Sequence, residues 1–179
     1  MEKEKTKNIK EKGRTSNITQ DKQSKKSSKK SELVNDASLI AVIRIAGMVK
    51  VKPGVANTLD RLRLRRKYAC ILVKPNKDIQ GMLKRVKFHV AYGSIEMETL
   101  VNLIKQRGKS IEGNKKKLES DVEKVAEGLM KDKKLSDFKL KPFFRLHPPR
   151  KGIRSKIQYP KGVLGDNKQD INKLIERML

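Results

Sequence analysis

Three short β-branched runs, spaced by two stretches of helical periodicity, limit what this chain can fold into more than any other feature. Leu39-Ile40-Ala41-Val42-Ile43-Arg44-Ile45-Ala46 is short and apolar, which predicts a buried strand and not a helix. Lys50, Lys52, Pro53 and Gly54 form a loop. Val55, Leu59 and Leu62 then recur at helical spacing while Asp60, Arg61 and Arg65 point elsewhere, the pattern of an amphipathic helix. Tyr68-Ala69-Cys70-Ile71-Leu72-Val73 reads as a second strand ended by Lys74-Pro75. Asn76 is placed to cap a second helix, with Ile79, Met82, Leu83 and Val86 on one face. Phe88-His89-Val90-Ala91-Tyr92 reads as a third strand closed by Gly93. This β-α-β-α-β order predicts an α+β fold: a small sheet with both helices on one face.

The flanks are organised differently. Residues 1–36 are built largely from Lys, Ser, Glu, Asn and Thr, and bury too little apolar surface to offset the entropy of ordering. They read as a disordered basic extension, either an arm along phosphates through Lys25–Lys30 or a solvated tail. Beyond the third strand, Leu100, Leu103 and Ile104 mark a helix stopping near Gly108, and Glu112–Lys117 is a polar loop. Ser120 is placed to cap a helix carrying Val122, Val125, Ala126 and Leu129, which Gly128 weakens by roughly 1 kcal/mol relative to Ala. From Phe138 to Gly165 there are eight basic residues, four prolines and no acid, so the chain is expected to run extended and irregular. Ile171, Leu174, Ile175 and Met178 then align on a last helix after Asn167, and that stripe needs a core to dock on. The organisation is thus 1–36 extension, 37–97 core, and 98–179 a helical and extended C-terminal extension.

Charge says what such a body is for. Forty-five Lys and Arg face 20 Asp and Glu, a formal net charge of +25. Residues 1–36 hold 11 basic and 6 acidic groups, leaving 34 basic and 14 acidic for the rest. A folded domain this basic repels itself unless a polyanion neutralises it. Nucleic acid is the default partner, and an anionic membrane surface the runner-up. The membrane reading fares poorly, because Asp170 and Glu176 interrupt the basic face of the last helix and no apolar run reaches the about 18–20 residues that span a bilayer. A single cysteine, Cys70, forbids an internal disulfide and fits a reducing cytoplasm.

Two segments concentrate the cations. Arg61-Leu62-Arg63-Leu64-Arg65-Arg66-Lys67 leads a stretch, residues 50–87, with 12 basic and 2 acidic groups, including Lys50, Lys52, Lys84 and Lys87. It reads either as a solvated face or as a phosphate-contacting surface, and the local imbalance favours phosphate. Phe143-Phe144-Arg145-Leu146-His147-Pro148-Pro149-Arg150-Lys151-Gly152, followed by Arg154, is the second. Its prolines hold an extended backbone without prior ordering cost. Arg145, Arg150 and Lys151 reach phosphates, and His147 a phosphate or a 2′-hydroxyl; the plainer alternative is a linker docked on its own domain. Aromatics are only 4% of the chain, and Tyr68, Phe88 and Tyr92 fall at expected core positions, so base stacking is not anticipated. Phosphate and shape recognition of folded RNA fits better.

Catalytic and cofactor motifs are absent. There is no Gly-rich phosphate loop, nucleophile elbow, His-Glu zinc motif or zinc-finger spacing. His89 and Cys70 read as structural, and nothing near Asp60, Asp78 or Glu96 suggests activation. No enzyme, metal, cofactor or small-molecule substrate is expected.

The residues also resemble a known family. Arg44-Ile45-Ala46-Gly47, Thr58-Leu59-Asp60-Arg61-Leu62, Arg63-Leu64-Arg65-Arg66 and Ile79-Gln80-Gly81-Met82-Leu83 are similar to large-subunit ribosomal protein thirty, whose eukaryotic branch is called protein seven. The match continues through Ala91-Tyr92-Gly93, Phe144-Arg145-Leu146-His147-Pro148-Pro149-Arg150-Lys151-Gly152 and the end from Ile171 to Leu179. The last two segments look archaeal. The resemblance implies a three-stranded antiparallel sheet with two helices on one face, somewhat like half of a ferredoxin fold. It implies a structural role on large-subunit rRNA, with 5S rRNA and neighbouring ribosomal proteins nearby, in the cytoplasm. RNA contacts would then fall to Lys50 and Lys52 after the first strand, to Arg61, Arg63, Arg65 and Arg66, and to Arg145, His147, Arg150 and Lys151. An extraribosomal nucleic-acid chaperone or regulator using the same surface is the alternative.

Overall fold

The computed structural model describes residues 39–111, 121–131, 133–153 and 155–179. The expected extension 1–36, the loop Glu112–Lys117, the Ser120 cap and Arg154 lie outside the described residues.

Three strands form the middle of the sheet, as the apolar runs predict, and they pair antiparallel, as the resemblance implies. β1 (Ile40–Arg44) lies between β2 (Ala69–Val73) and β3 (Val90–Ser94). The connections are α1 (Pro53–Arg61), with proline in its first turn, and α2 (Lys77–Val86), whose N-cap is Asn76 although its side chain makes no capping bond. The three-stranded expectation needs correction, because the sheet has five strands in the order β4-β2-β1-β3-β5 and is mixed. β4 (Phe144–Arg145) adds antiparallel to β2, and β5 (Gly165–Asp166) adds parallel to β3. The cause lies in the edges: β2 and β3 would otherwise leave a row of backbone donors and acceptors unpaired.

Both faces of the sheet are covered. Val42, Ile71 and Val90 point to one face, where they pack with Leu59, Leu62 and Leu64 from α1 and its exit and with Leu83 and Val86 from α2. Ala41, Ile43, Cys70 and Ala91 point to the other, where α3 (Met97–Arg107), α4 (Val122–Met130) and α5 (Ile171–Glu176) bury Leu100, Leu103, Val125, Leu129, Ile171 and Ile175. A sheet buried on both sides explains why β1 is continuously apolar instead of alternating. The stripe of the last helix docks as its spacing requires: Ile171, Leu174, Ile175 and Met178 are all buried. Asn172 ties that helix to the end of β3, accepting from the Glu96 backbone N–H at 3.1 Å and donating to the Ser94 carbonyl at 3.3 Å.

Two expectations about β3 also fall. The strand starts two residues later than the apolar run, because Lys87, Phe88 and His89 form the turn out of α2; Phe88 is therefore exposed, not core. Gly93 lies inside the strand instead of closing it. A Cβ there would overlap the Lys168 carbonyl, so the close approach of the segment after β5 requires glycine.

Candidate nucleic-acid interface

The first basic segment is a helix exit with leucines inside and arginines outside. α1 ends at Leu62, and Arg63 takes the left-handed conformation with φ 57°. The Arg63 N–H donates to the Asp60 carbonyl at 2.9 Å, and the Leu64 N–H to the Leu59 carbonyl at 2.8 Å. This is the paired-bond helix stop that normally has glycine at the left-handed position. Leu59 and Leu64 close its apolar contact and are fully buried. Burying Leu62 and Leu64 leaves Arg61, Arg63, Arg65, Arg66 and Lys67 exposed. Tyr68, also left-handed at φ 62°, turns the chain into β2, and the Lys67 ammonium sits 4.7 Å from its ring centroid.

The second segment reaches the first through β4. Arg145 pairs with Ala69 and Phe144 with Cys70, and the Leu146 N–H donates to the Tyr68 carbonyl at 3.0 Å. Phe144 is buried on the α3–α5 face, and Phe143 packs partly buried on the α1–α2 face, so the two rings straddle the sheet edge. The result is a groove of about 540 Å³ lined by Arg63, Arg65, Arg66, Lys67 and Arg145, with Tyr68, Phe143 and the single acid Asp60. Asp60 meets Arg65 at 3.4 Å between exposed side chains, a pair that contributes little and leaves the groove strongly positive.

Other sites expected from the sequence lie apart from the groove. Beyond the groove's own Arg145, Leu146 and Pro149 anchor the proline segment inward while His147, Arg150 and Lys151 face out. The His147 N–H donates to the Met178 carbonyl at 2.9 Å, and the Arg177 guanidinium donates to the Arg150 and Gly152 carbonyls. Arg150, Lys151, Arg177 and Glu176 line a separate hollow of about 300 Å³. Lys50 and Lys52 are exposed on the loop leaving β1, and Lys84 and the half-buried Lys87 stand at the C-terminal end of α2. The exit of β1 and the entries to β2 and β3 share one end of the sheet, since Ile43 pairs with Cys70 and Arg44 with Val90. The cations of the loop after β1, the α1 exit and the α2–β3 turn therefore share that end, while Lys74 and Lys77, beyond the Val73–Ile40 pair, lie toward the other.

One residue missed by the sequence reading organises the groove. Arg44 is buried at the end of β1, and its guanidinium donates to four backbone carbonyls: Leu64 at 2.7 Å, Arg65 at 2.9 Å, Gly47 at 2.8 Å and Ala46 at 3.1 Å. Burial lowers its pKa, and the Asp60 carboxylate acts in the opposite direction. The signal was present: a charge inside a β-branched run has to be satisfied where it is buried.

The remaining chemistry is structural. Burial pushes the Cys70 thiol up to about 12, leaving it an inert core sulfur. Among the described residues no cluster of His, Cys, Asp or Glu is arranged to hold a metal, and no helix is long and apolar enough to cross a membrane.

The family model for ribosomal protein L30p/L7e matches residues 40–90, the segment from β1 to the start of β3. The large ribosomal subunit protein uL30 of Archaeoglobus fulgidus is 40% identical over 154 residues, covering 78% of this chain and 99% of that protein. Its counterpart from Methanococcus maripaludis is 39% identical over 152 residues, covering 78% and 98%. That of Hyperthermus butylicus is 38% identical over 174 residues, covering 84% and 96%.

Proposed function

The chain belongs to the ribosomal protein L30p/L7e family, and from that premise we propose that it binds and stabilises folded rRNA through phosphate and shape contacts. Its role is that of a structural, non-enzymatic constituent of the large ribosomal subunit, with rRNA and neighbouring ribosomal proteins as partners. Charge neutralisation drives assembly, and the fixed spacing of cations on a rigid end of the sheet selects RNA of matching shape.

The observation that carries this reading is the convergence of Arg63, Arg65, Arg66, Lys67 and Arg145 on one groove from two distant parts of the chain. An ordinary solvated face has no reason to gather five cations around a concavity with one carboxylate. A sugar-phosphate backbone supplies the missing counter-charge. The outward row Arg145, His147, Arg150 and Lys151 extends the contact toward the second hollow, and Lys50, Lys52, Arg61, Lys84 and Lys87 extend it across the end of the sheet.

The test is the salt dependence of affinity for a structured large-subunit rRNA fragment. Affinity is expected to fall by orders of magnitude between low and moderate salt. Replacing Arg63, Arg65 and Arg66 together by Ala is expected to reduce the log–log salt slope by about 2–3 without lowering the unfolding midpoint. Salt-insensitive binding overturns the mechanism, and a triple variant that melts makes those arginines packing elements. Co-migration with large subunits on a sucrose gradient checks the assembly role.

A further inference from the structure

Phe88 is 59% exposed at the tip of the turn between α2 and β3. The Lys87 ammonium lies 5.1 Å from its ring centroid, and Lys84 and Arg85 are exposed on the preceding helical turn. The turn is firmly held. The His89 N–H donates to the Val86 carbonyl at 2.8 Å, and the His89 carbonyl accepts from the backbone N–H groups of Ile45 and Ala46, both at 3.0 Å. Those last two bonds join the turn to the loop after β1, where Met48 is 65% and Val49 84% exposed. No acid occurs between residues 44 and 52 or between 84 and 90.

A single exposed apolar side chain needs no explanation. Here a benzyl ring and two aliphatic chains sit on two loops tied together at their base, and those loops and the helical turn before them carry Lys50, Lys52, Lys84, Arg85 and Lys87. A protein partner would have to bring carboxylates to these lysines, since neither loop carries an acid of its own. Unpaired RNA matches both halves of the patch, because base faces stack on aromatic rings while phosphates meet the ammonium groups.

We propose that Phe88 is a stacking platform for one unpaired base of the bound RNA, with Lys84 and Lys87 on the flanking phosphates and Met48–Val49 packed beside the nucleotide. This rests on the rRNA-binding reading and adds to it: the groove grips backbone, and the Phe88 turn takes a base. The Lys87 ammonium lies over one face of this largely exposed ring, and a base stacked on the other face would sandwich it between base and cation.

The experiment uses the full chain and a single-stranded RNA decamer carrying 2-aminopurine at its centre, beside the same decamer with an abasic centre. Native protein is expected to quench the 2-aminopurine fluorescence. Phe88→Ala is expected to abolish the quenching and weaken binding about tenfold, and Phe88→Trp to restore both. The salt slope stays unchanged, because no charge is removed, and the unfolding midpoint stays unchanged, because the ring is exposed. An affinity loss that persists on the abasic decamer, or a Phe88→Ala variant that binds and quenches like the native chain, overturns the inference. So does a Phe88→Ala variant that binds RNA normally but is lost from large subunits, which would make Phe88 a contact to a neighbouring protein. The groove variant separates the two readings: if the Arg63, Arg65 and Arg66 triple replacement leaves rRNA binding intact, the groove reading fails whatever Phe88 does.

Discussion

The Arg44 guanidinium donates to the Leu64 carbonyl at 2.7 Å, joining the end of the central strand to the middle of the basic helix exit. The same group holds the Arg65, Ala46 and Gly47 carbonyls, so one cation fixes both loops at the basic end of the sheet. Arg44 is itself unavailable to phosphate. It spends its donors on backbone, and in doing so sets the direction in which Arg63, Arg65 and Arg66 project.

Removing that clamp has a double consequence. Arg44→Met is expected to destabilise the fold by about 2–4 kcal/mol, because it removes charge-assisted bonds and strands the Leu64 carbonyl in a buried turn. Arg44→Lys keeps the charge but not the planar fork, and is expected to recover less than half of the loss. Denaturant titration measures both. A methionine variant as stable as the native chain would show that the guanidinium bonds are incidental.

Arg63 occupies the left-handed position where helix stops favour glycine, and there a side chain costs roughly 1 kcal/mol or more. Nothing in the packing asks for arginine, since its side chain is exposed at the groove. Arg63→Gly is therefore expected to raise stability by about 0.5–1 kcal/mol while weakening rRNA affinity. Thermal unfolding and RNA titration on one preparation decide it. A variant that is both less stable and equally tight in binding would contradict the assignment of Arg63 to the groove.

What the sequence made legible follows from residue spacing. The β-branched runs located β1 and β2, and helical periodicity located α1, α2, α3 and the Ile171–Met178 stripe. Periodicity has no hold on two-residue strands. β4 and β5 went unseen because Phe144–Arg145 and Gly165–Asp166 show no pattern of their own; only the open edges of β2 and β3 recruit them. Both basic segments were legible as charge, but their meeting depends on the Ala69–Arg145 pairing, which neither segment encodes alone. Phe88-His89-Val90-Ala91-Tyr92 reads as one apolar strand run, but the turn out of α2 uses up its first two residues and leaves Phe88 outside β3. Gly128 looked like a weakness in α4. In the fold the Phe138 ring packs against its Cα, where a Cβ would collide with the ring edge.

His89 gives the fold a pH dependence whose sign is fixed by its surroundings. Burial, and then the Arg44 charge, hold its pKa below the ordinary 6.5, and its Nδ1 is buried without a hydrogen-bond partner. Protonation therefore costs the folded chain more than the unfolded one. Above pH 6.5 both states carry a neutral imidazole and stability is at its full value. As pH falls below 6.5 the unfolded state takes up the proton first, and stability is lost progressively until the folded imidazole also titrates. The unfolding midpoint is expected to drop between pH 7.5 and 5.5, above the range where carboxylates titrate. His89→Gln, which cannot charge, is expected to flatten that drop while leaving the pH 7.5 value nearly unchanged. An equally steep drop in the glutamine variant would move the titrating group elsewhere, and a rise in stability on acidification would reverse the sign argued for His89.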